Sequence, residues 1–521
     1  MKLTNSAQMR EMDAYAIKDL GIPGTMLMLN AAGHIANVAL ENLPLGGCAA
    51  VFCGVGNNGG DGIGAAAILL GKGVRLRVFL IGSAEKLTTD SREMLRRLDS
   101  IGGVLEQFAD SEDIRDFTND CDLIIDAIFG IGLNSPLRGD ALLAVNIINA
   151  SRARVISADI ASGVLADTGA APGAAVTADV TVTFSLAKPG HFVEPGCTHC
   201  GELRVCDIGI PRDLVDGAVS HVFSVSCEDV ALPRRRPDSH KGDYGRCLII
   251  AGSVGYTGAP ALSTRAASRM GSGLVYLGVP EPVYDILAVK LDEEMPFPLP
   301  ADKQGRLAAN AAGEILHRAE ACDVCLIGPG LGRSPEISEL VLSTIRLVKT
   351  PVILDADGLN AIASSPEVFG QAECPLILTP HPGEFARLGG DLTSGDRLLA
   401  ARMFAHSNNC ILVLKGHRTI TAMPDGTAYI NTTGNPAMAK GGSGDVLAGM
   451  IAALIGQKFS IKDAVLTAVY AHGLAGDMCA EEYGEYSVVA GDLISMLPKA
   501  TQSLCRDERE RDTGPQSLAI Y

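Results

Sequence analysis

The run Gly441-Gly442-Ser443-Gly444-Asp445 leads directly into the apolar stretch Val446-Leu447-Ala448-Gly449. Glycines and a serine in a row let consecutive backbone N–H groups turn toward an anion, and a helix starting behind them adds its dipole. A carboxylate in the first helical turn, Asp445, stands beside such a pocket. There it can take a proton from a hydroxyl while the amides steady a transferring phosphoryl group. A second run, Gly54-Val55-Gly56-Asn57-Asn58-Gly59-Gly60-Asp61, matches GxGxxG between a short apolar run and a helical stretch. The acidic residue that a dinucleotide fingerprint places about twenty positions on falls near Phe79, inside an apolar strand. The loop is therefore no ordinary dinucleotide site. Asn57, Asn58 and Asp61 add side-chain oxygens where a phosphate loop avoids negative charge.

Two further strand ends carry oxygens: Asp126 in LIIDAIFG, and Asp159 with Ser162 in VISADIASG. In a parallel sheet Asn58, Asp126, Asp159 and Ser162 converge on one edge, and such a set suits a hard cation. Lys415-Gly416-His417-Arg418-Thr419 offers a cation and backbone contacts to a nucleotide phosphate. In TPHPGE, His381 and Glu384 are candidates, Glu384 for a metal or for ordering water. Gly328-Pro329-Gly330-Leu331-Gly332 is a loop for close approach. Cys197 and Cys200, with Cys206 and His191 nearby, raise the question of zinc. Cys322 and Cys325 run into a strand, and neither pair has a second pair at ribbon spacing, so both read as packing cysteines.

Elements that place these loops are legible as alternating apolar runs. Strands are expected at 49–53, 74–81, 122–128, 154–160 and 180–185, with a helix over 63–70. In the second half they are expected at 247–251, 274–279, 324–327, 352–355, 376–378 and 411–415. A hairpin is expected around Pro424-Asp425-Gly426, with arms 419–423 and 427–431. Strands alternating with helices indicate parallel sheets covered on both faces, which bind ligands beyond the strands' carboxyl ends. Residues 211–243, with Pro233-Arg234-Arg235-Arg236-Pro237, read as an aperiodic linker with a boundary near 222–240. The run from Arg506 onward reads as a frayed tail.

Composition sets the outer limits. The 521 residues carry 60 acidic and 43 basic side chains, a net charge of -17. That excludes a nucleic-acid or anionic-membrane partner, which needs a basic footprint. Apolar stretches reach about ten residues, against roughly 20 needed to span a bilayer. The N-terminus lacks an apolar core of the signal-peptide kind, and the 14 scattered cysteines suit reduced thiols. A cytoplasmic protein is expected.

GNNGGDG, DAIFGIGLNSPLRG and SADIASG resemble the NAD(P)H-hydrate epimerase domain over roughly residues 10–220. The resemblance implies a Rossmann-like fold, a K+ ion and hydrated NADH or NADPH (NADHX, NADPHX) as substrate. It puts the ion on Asn58, Asp126 and Ser162. It puts the substrate on Asn57, Asn58, Gly59, Gly60, Asp61, Gly130, Ile131, Gly132, Leu133, Asn134, Ser135, Pro136 and Asp159, with Asp159 as the base. The second half resembles the ribokinase-like superfamily and, within it, the ADP/ATP-dependent NAD(P)H-hydrate dehydratase domain. HKGDYGRCLIIAGSVGYTGAP, GPGLG, LDADGLN, TPHPGE, LKGHRTI and GNPAMAKGGSGDVLAG carry that likeness. It implies nucleotide binding by Lys415, Gly416, His417, Arg418, Thr419 and Gly444, and substrate binding by Ala259, Gly330, His381 and Asp445. Asp445 would be the catalytic base, with Mg2+ and ADP or ATP as companions.

The expectation is a bifunctional repair enzyme. It comprises an epimerase domain at 1–222, a dehydratase domain at 226–505 and a tail at 506–521, assembled as a homo-oligomer. The alternatives are a ribokinase-type small-alcohol kinase fused to a Rossmann-like binding domain, and a non-catalytic N-terminal half.

Overall fold

The structure is a computed structural model that describes residues 1–506. Of the tail expected at 506–521, Arg506 ends the short strand Cys505–Arg506, and 507–521 lie outside the described residues. The chain divides into two compact units, Lys2–Val222 and Phe223 onward, the second joined by Met1.

In the first unit seven parallel strands form one sheet: β1 (Cys48–Cys53), β2 (Arg75–Leu80), β3 (Leu105–Gln107), β4 (Leu123–Ala127), β5 (Arg154–Ala158), β6 (Val180–Phe184) and β7 (Glu202–Cys206). Their spatial order is β3-β2-β1-β4-β5-β6-β7, so the winding reverses between β1 and β4. That order defines a Rossmann-like doubly wound sheet, and the crevice lies where the winding reverses. β1 shows why the runs read as unbroken apolar segments. Ala49, Val51 and Cys53 enter one core while Cys48, Ala50 and Phe52 enter the other. Both faces are covered, so neither set can be polar.

The second unit has a mixed sheet of β8 (Arg246–Ile250), β9 (Leu274–Pro280), β10 (Met295–Leu299), β11 (Val324–Ile327), β12 (Val352–Leu354), β13 (Leu376–Leu378), β14 (Ile411–Leu414), β15 (Ile420–Ala422) and β16 (Ala428–Asn431). From β10 the order runs β10-β9-β8-β11-β12-β13-β14-β15-β16. The pairings are parallel as far as β14, and the expected hairpin β15–β16 continues the sheet antiparallel. Helices Gly258–Arg269, Ser443–Gly456 and Ile461–Tyr483 bury their apolar residues with Cys247, Ile249 and Leu326 in one core.

Three features depart from the sequence reading. MPFPL forms β10 although Pro296 and Pro298 argue against a strand; it is an edge strand, where proline's missing N–H is tolerated. The supposed linker contains the helix Arg212–Gly217, and Phe223 stacks on Tyr429 of β16 with ring centroids 5.3 Å apart. The helix expected at 63–70 starts earlier, at Asn57, and runs to Gly71, so Asn57–Asp61 form its first turn. Cys322 and Cys325 are buried, and burial pushes the Cys322 thiol up to about 11. Among the described residues no helix is long and apolar enough to cross a membrane.

The helix start at Asn57 depends on one close approach. A Cβ on Gly59 would stand 1.8 Å from the carbonyl oxygen of Gly54. Gly59→Ala is expected to force this turn apart and cost about 1–3 kcal/mol, measurable by urea denaturation. A variant as stable as the parent would show that the loop yields freely.

Candidate functional site

In the first unit the loops after β1, β4 and β5 meet the helix Ser6–Lys18 around a cavity of about 630 Å³. Asn57, Asn58, Asp61, Gly130, Ile131, Gly132 and Asp159 line it, as do Asp13 and Lys188. Gly59 and Gly60 are buried behind the lining, and Asn134, Ser135 and Pro136 are exposed beyond it. Gly130 is the point of close approach in the arrangement. A Cβ there would lie 2.9 Å from Asp159 Oδ2 and 3.3 Å from Asn58 Cγ.

Asp159 is held from every side. Its φ is +64°, a left-handed conformation that Asp tolerates better than most residues. Lys188 Nζ donates to its Oδ1 at 2.6 Å and Thr183 Oγ1 at 3.1 Å. His191 Nε2 lies 2.8 Å from its backbone oxygen. The Ile131 amide donates to Oδ2 at 3.3 Å. Burial is the largest influence and would raise this carboxyl, but the charge and hydrogen bond of Lys188, with His191 and Thr183, together keep the group below the usual carboxylate range. Burial dominates elsewhere. It pushes Asp13 up to about 6 and Asp61 well above its ordinary value, with Asp159 adding to both. His191, buried near Lys188, is pushed down to about 4 and stays neutral.

Asp126 is fully buried and surrounded by neutral donors: Ser162 Oγ at 2.6 Å, Ser157 Oγ at 2.8 Å, the Ser162 amide at 2.9 Å and the Ile128 amide at 3.3 Å. The Phe129 amide donates in turn to Ser162 Oγ at 2.9 Å, tying the loops after β4 and β5 together. The Asn58 amide, on the neighbouring strand's loop, is buried with neither its oxygen nor its nitrogen bonded. A buried carboxyl lacking a cationic partner among these bonds, beside an unsatisfied amide oxygen, is a donor set that fits a hard cation.

In the second unit the turn before Asp445 is built as the motif requires. Gly442 takes a left-handed φ of +98° as N-cap, and the helix starts at Ser443. Ser443 Oγ bonds the Met438 carbonyl at 2.9 Å. Lys415, at the end of β14, reaches over Gly444: its Nζ is 3.1 Å from where a Cβ on Gly444 would stand. The same ammonium donates to Asp355 Oδ1 at 2.7 Å, which also accepts from Thr379 Oγ1 at 2.8 Å. Asp445 is pushed up to about 7, chiefly by burial and then by Asp355, against the pull of Lys415.

Of the remaining expected residues, Ala259 lies in the first turn of the helix Gly258–Arg269, and Gly330, His381 and Gly416–Thr419 lie beyond the ends of β11, β13 and β14. Ala259 and Gly330 touch, since a Cβ on Gly330 would lie 3.3 Å from that of Ala259. His381 caps the helix Pro382–Arg387: Nδ1 accepts from the Gly383 amide at 3.0 Å, and Glu384 Oε2 accepts from the His381 amide at 2.9 Å. In the loop after β14, Arg418 donates to the Thr432 carbonyl at 2.7 Å and Thr419 Oγ1 to the Gly416 carbonyl at 3.0 Å. Sequence reasoning missed Asp13, Lys188, Thr183 and Asp355. Lys188 and Asp355 both follow strand runs and were open to detection as strand-end charges. Asp13 sits on a helix with no motif around it.

These two α/β units, each with charged loops gathered at strand ends, define a two-domain enzyme of the Rossmann-like and ribokinase-like kinds. The family described as NAD(P)H-hydrate dehydratase matches residues 247–499, and the YjeF-related protein N-terminus matches residues 24–190. The chain is 41% identical to the bifunctional NAD(P)H-hydrate repair enzyme Nnr of Moorella thermoacetica, across 97% of each chain. It is 34% identical to that of Escherichia coli, across 95% of this chain and 93% of the relative. A solved ADP/ATP-dependent NAD(P)H-hydrate dehydratase from Bacillus subtilis, co-crystallized with ATP/Mg2+, is 34% identical. It covers 54% of this chain and 99% of its own, with a TM-score of 0.48. The chain belongs to the family of bifunctional NAD(P)H-hydrate repair enzymes.

Lys188→Met leaves Asp159 buried without its counter-charge. The expected cost is about 3–5 kcal/mol in urea denaturation at neutral pH. Because folding lowers the Asp159 pKa, the pair's contribution is complete above the unfolded value of about 3.9 and fades as pH falls below it. The difference between parent and variant should therefore shrink in acid; a difference that grows in acid would contradict the pairing.

Proposed function

We propose that this chain returns hydrated NADH and NADPH to the reduced cofactors in two reactions. The first unit interconverts the R and S hydrates. The second dehydrates the S hydrate at the expense of ADP or ATP. The observation that carries the reading is Asp445 at the head of its helix, beside an amide-lined turn and across Gly444 from the Lys415 ammonium.

The hydrate bears a hydroxyl on the carbon next to the ring nitrogen, and hydroxide leaves poorly. Asp445 accepts the hydroxyl proton, and a base with a pKa near the working pH is well matched to that task. The freed oxygen bonds to the terminal phosphorus as the bond from phosphorus to the nucleotide breaks. Backbone N–H groups of 441–444 and the Lys415 ammonium receive the charge on the phosphoryl oxygens. The ring nitrogen lone pair then expels phosphate, and loss of a proton from the adjacent carbon restores the dihydronicotinamide. Ala259, Gly330 and His381 border the substrate; Lys415–Thr419 and Gly444 border the nucleotide. Mg2+, with Glu384 as an oxygen donor of this chain, would neutralise the nucleotide phosphates.

In the first unit the ring nitrogen expels the hydroxyl and water returns to the other face. Asp159, kept ionised by Lys188, takes the proton of that water. Asn57–Asp61 and Gly130–Pro136 border the substrate. Asn58, Asp126 and Ser162 would hold K+, which supplies a fixed positive charge beside the buried carboxyl. The scattered spacing of the 14 cysteines supports a reducing, cytoplasmic setting.

The reading is tested by supplying separated R and S hydrates of NADPH with ADP or ATP and following the return of reduced-nicotinamide absorbance. Nucleotide-dependent recovery from both hydrates is expected; a phosphorylated product that accumulates without recovery would indicate a simple kinase. Asp445→Asn should lower dehydration by about 10²–10⁴-fold while nucleotide still binds. In the parent, kcat/KM for dehydration should rise with pH through about 7, as Asp445 loses its proton.

A further inference from the structure

The cavity of the first unit holds more ionisable groups than one base requires. Arg10, Asp13, Asp61, Asp90, Asp159 and Lys188 all line it. Asp13 comes from the helix Ser6–Lys18, an element unrelated to the strand-end loops. That helix is fixed in the two turns ahead of Asp13. Asn5 caps it, accepting from the Gln8 amide at 2.8 Å, and Gln8 Oε1 accepts in turn from the Asn5 amide at 3.1 Å. Arg10 reaches across to the Ile131 carbonyl at 3.2 Å. Met9, Met12 and Ala16 are buried on the helix, so its register cannot turn without exposing them. Asp13 is thereby held at the wall of the cavity that also presents Asp159, with the Gly130–Gly132 loop bonded to both sides through Ile131.

Epimerisation needs two groups in opposite protonation states. The departing hydroxyl leaves readily only with a proton, and the water entering on the other face must lose one. Asp159 is matched to the second task, since Lys188 keeps it charged. Asp13 is matched to the first. Burial raises it to about 6, Lys188 opposes the shift and Asp159 reinforces it. Asp61 is more deeply buried than Asp13, so its carboxyl exchanges a proton with solvent less readily. Of the other charged groups on the wall, Arg10 is bound to Ile131 and Asp90 sits on the first turn of the helix Thr89–Ser100. Environments that push neighbouring carboxyls apart in this way mark an acid and a base.

We infer that Asp13 is a catalytic acid of the epimerising site, protonating the departing hydroxyl while Asp159 deprotonates the entering water. The inference rests on the epimerase reading above. The ring C–O bond breaks as the nitrogen lone pair forms the C=N bond, and the oxygen leaves as water with the proton of Asp13. Water then bonds to the same carbon from the opposite face, the C=N electrons return to nitrogen, and the spare proton passes to Asp159. One proton has moved from Asp13 to Asp159 and returns through the solvent in the cavity. The reverse epimerisation uses the two groups in exchanged roles. No other reactant is consumed.

The test uses the full chain and the separated R hydrate of NADPH without nucleotide. Conversion to the S hydrate is followed by chromatography, with the rate in buffer subtracted. The parent should show a rate that falls as pH rises through about 6, where Asp13 loses its proton. Asp13→Asn should lower kcat by about 10²-fold or more with little change in KM, and its residual rate should lack that pH dependence. Asp13→Glu should restore part of the rate, with the limb displaced. An Asp13→Asn rate near that of the parent, or an unchanged pH profile, overturns the assignment. Should Asp13→Asn unfold, the comparison of parent with Asp13→Glu decides, and an identical limb in the two overturns it. Failure of the parent to outrun buffer removes the epimerase reading and this inference with it; a parent that outruns buffer beside an equally fast Asp13→Asn removes Asp13 alone.

Discussion

A lysine taken out of water beside an aspartate is the arrangement on which both sites turn. In the first unit Lys188 is bonded to Asp159 at 2.6 Å, and in the second Lys415 is bonded to Asp355 at 2.7 Å. Each pair survives burial because each charge compensates the other. At each site the same lysine faces further carboxyls. Asp13 stands near Lys188, and Asp445 and Glu384 near Lys415. The cation cannot hold every neighbour in the charged form. Asp159 is kept ionised beside Lys188, while Asp13 near it and Asp445 near Lys415 are left with pKa values lifted toward neutrality. A division of protonation states, which acid–base chemistry requires, thus follows from too little positive charge in a confined volume.

The sheets supply the geometry for this. Parallel strands covered on both faces must be apolar along their length, so polar groups are expelled to the loops beyond the strand ends. Asp126, Asp159, Asp355 and Lys415 all stand at or just beyond the carboxyl end of a strand. Hydrogen bonds between loops then fix them: Ser162 joins the segments after β4 and β5, and Asp357 Oδ2 accepts from the Gly332 amide at 2.9 Å to join those after β11 and β12. The second unit adds its own device, the left-handed Gly442 that turns the chain into the helix bearing Asp445.

Much of this was legible in the residues. Val324–Ile327 and Leu376–Leu378 are strands with the bounds their apolar runs suggest, because a doubly covered strand leaves no room for a polar residue. The turn before Asp445 was legible because glycine spacing encodes backbone shape directly. Other parts were not. β10 is interrupted by two prolines that only an edge position permits, and edge position is a property of the whole sheet. The partnership of Lys188 with Asp159 joins residues 29 apart through the order of strands, which local pattern does not record. Asp13 was invisible for a similar reason: on an amphipathic helix an aspartate looks like any solvated charge until the face opposite it is known.

The backbone at Asp159 constrains how this position changes over evolutionary time. With φ at +64°, asparagine and glycine fit there as readily as aspartate, while branched or bulky side chains are strained. Sequence drift is therefore channelled toward residues that keep the loop's shape and discard its charge. A descendant that lost the chemistry would retain a cavity of almost the same form, with Lys188 left seeking an anion. Shape alone would then mislead anyone sorting active from inactive relatives, and the identity of this one side chain would be the better guide.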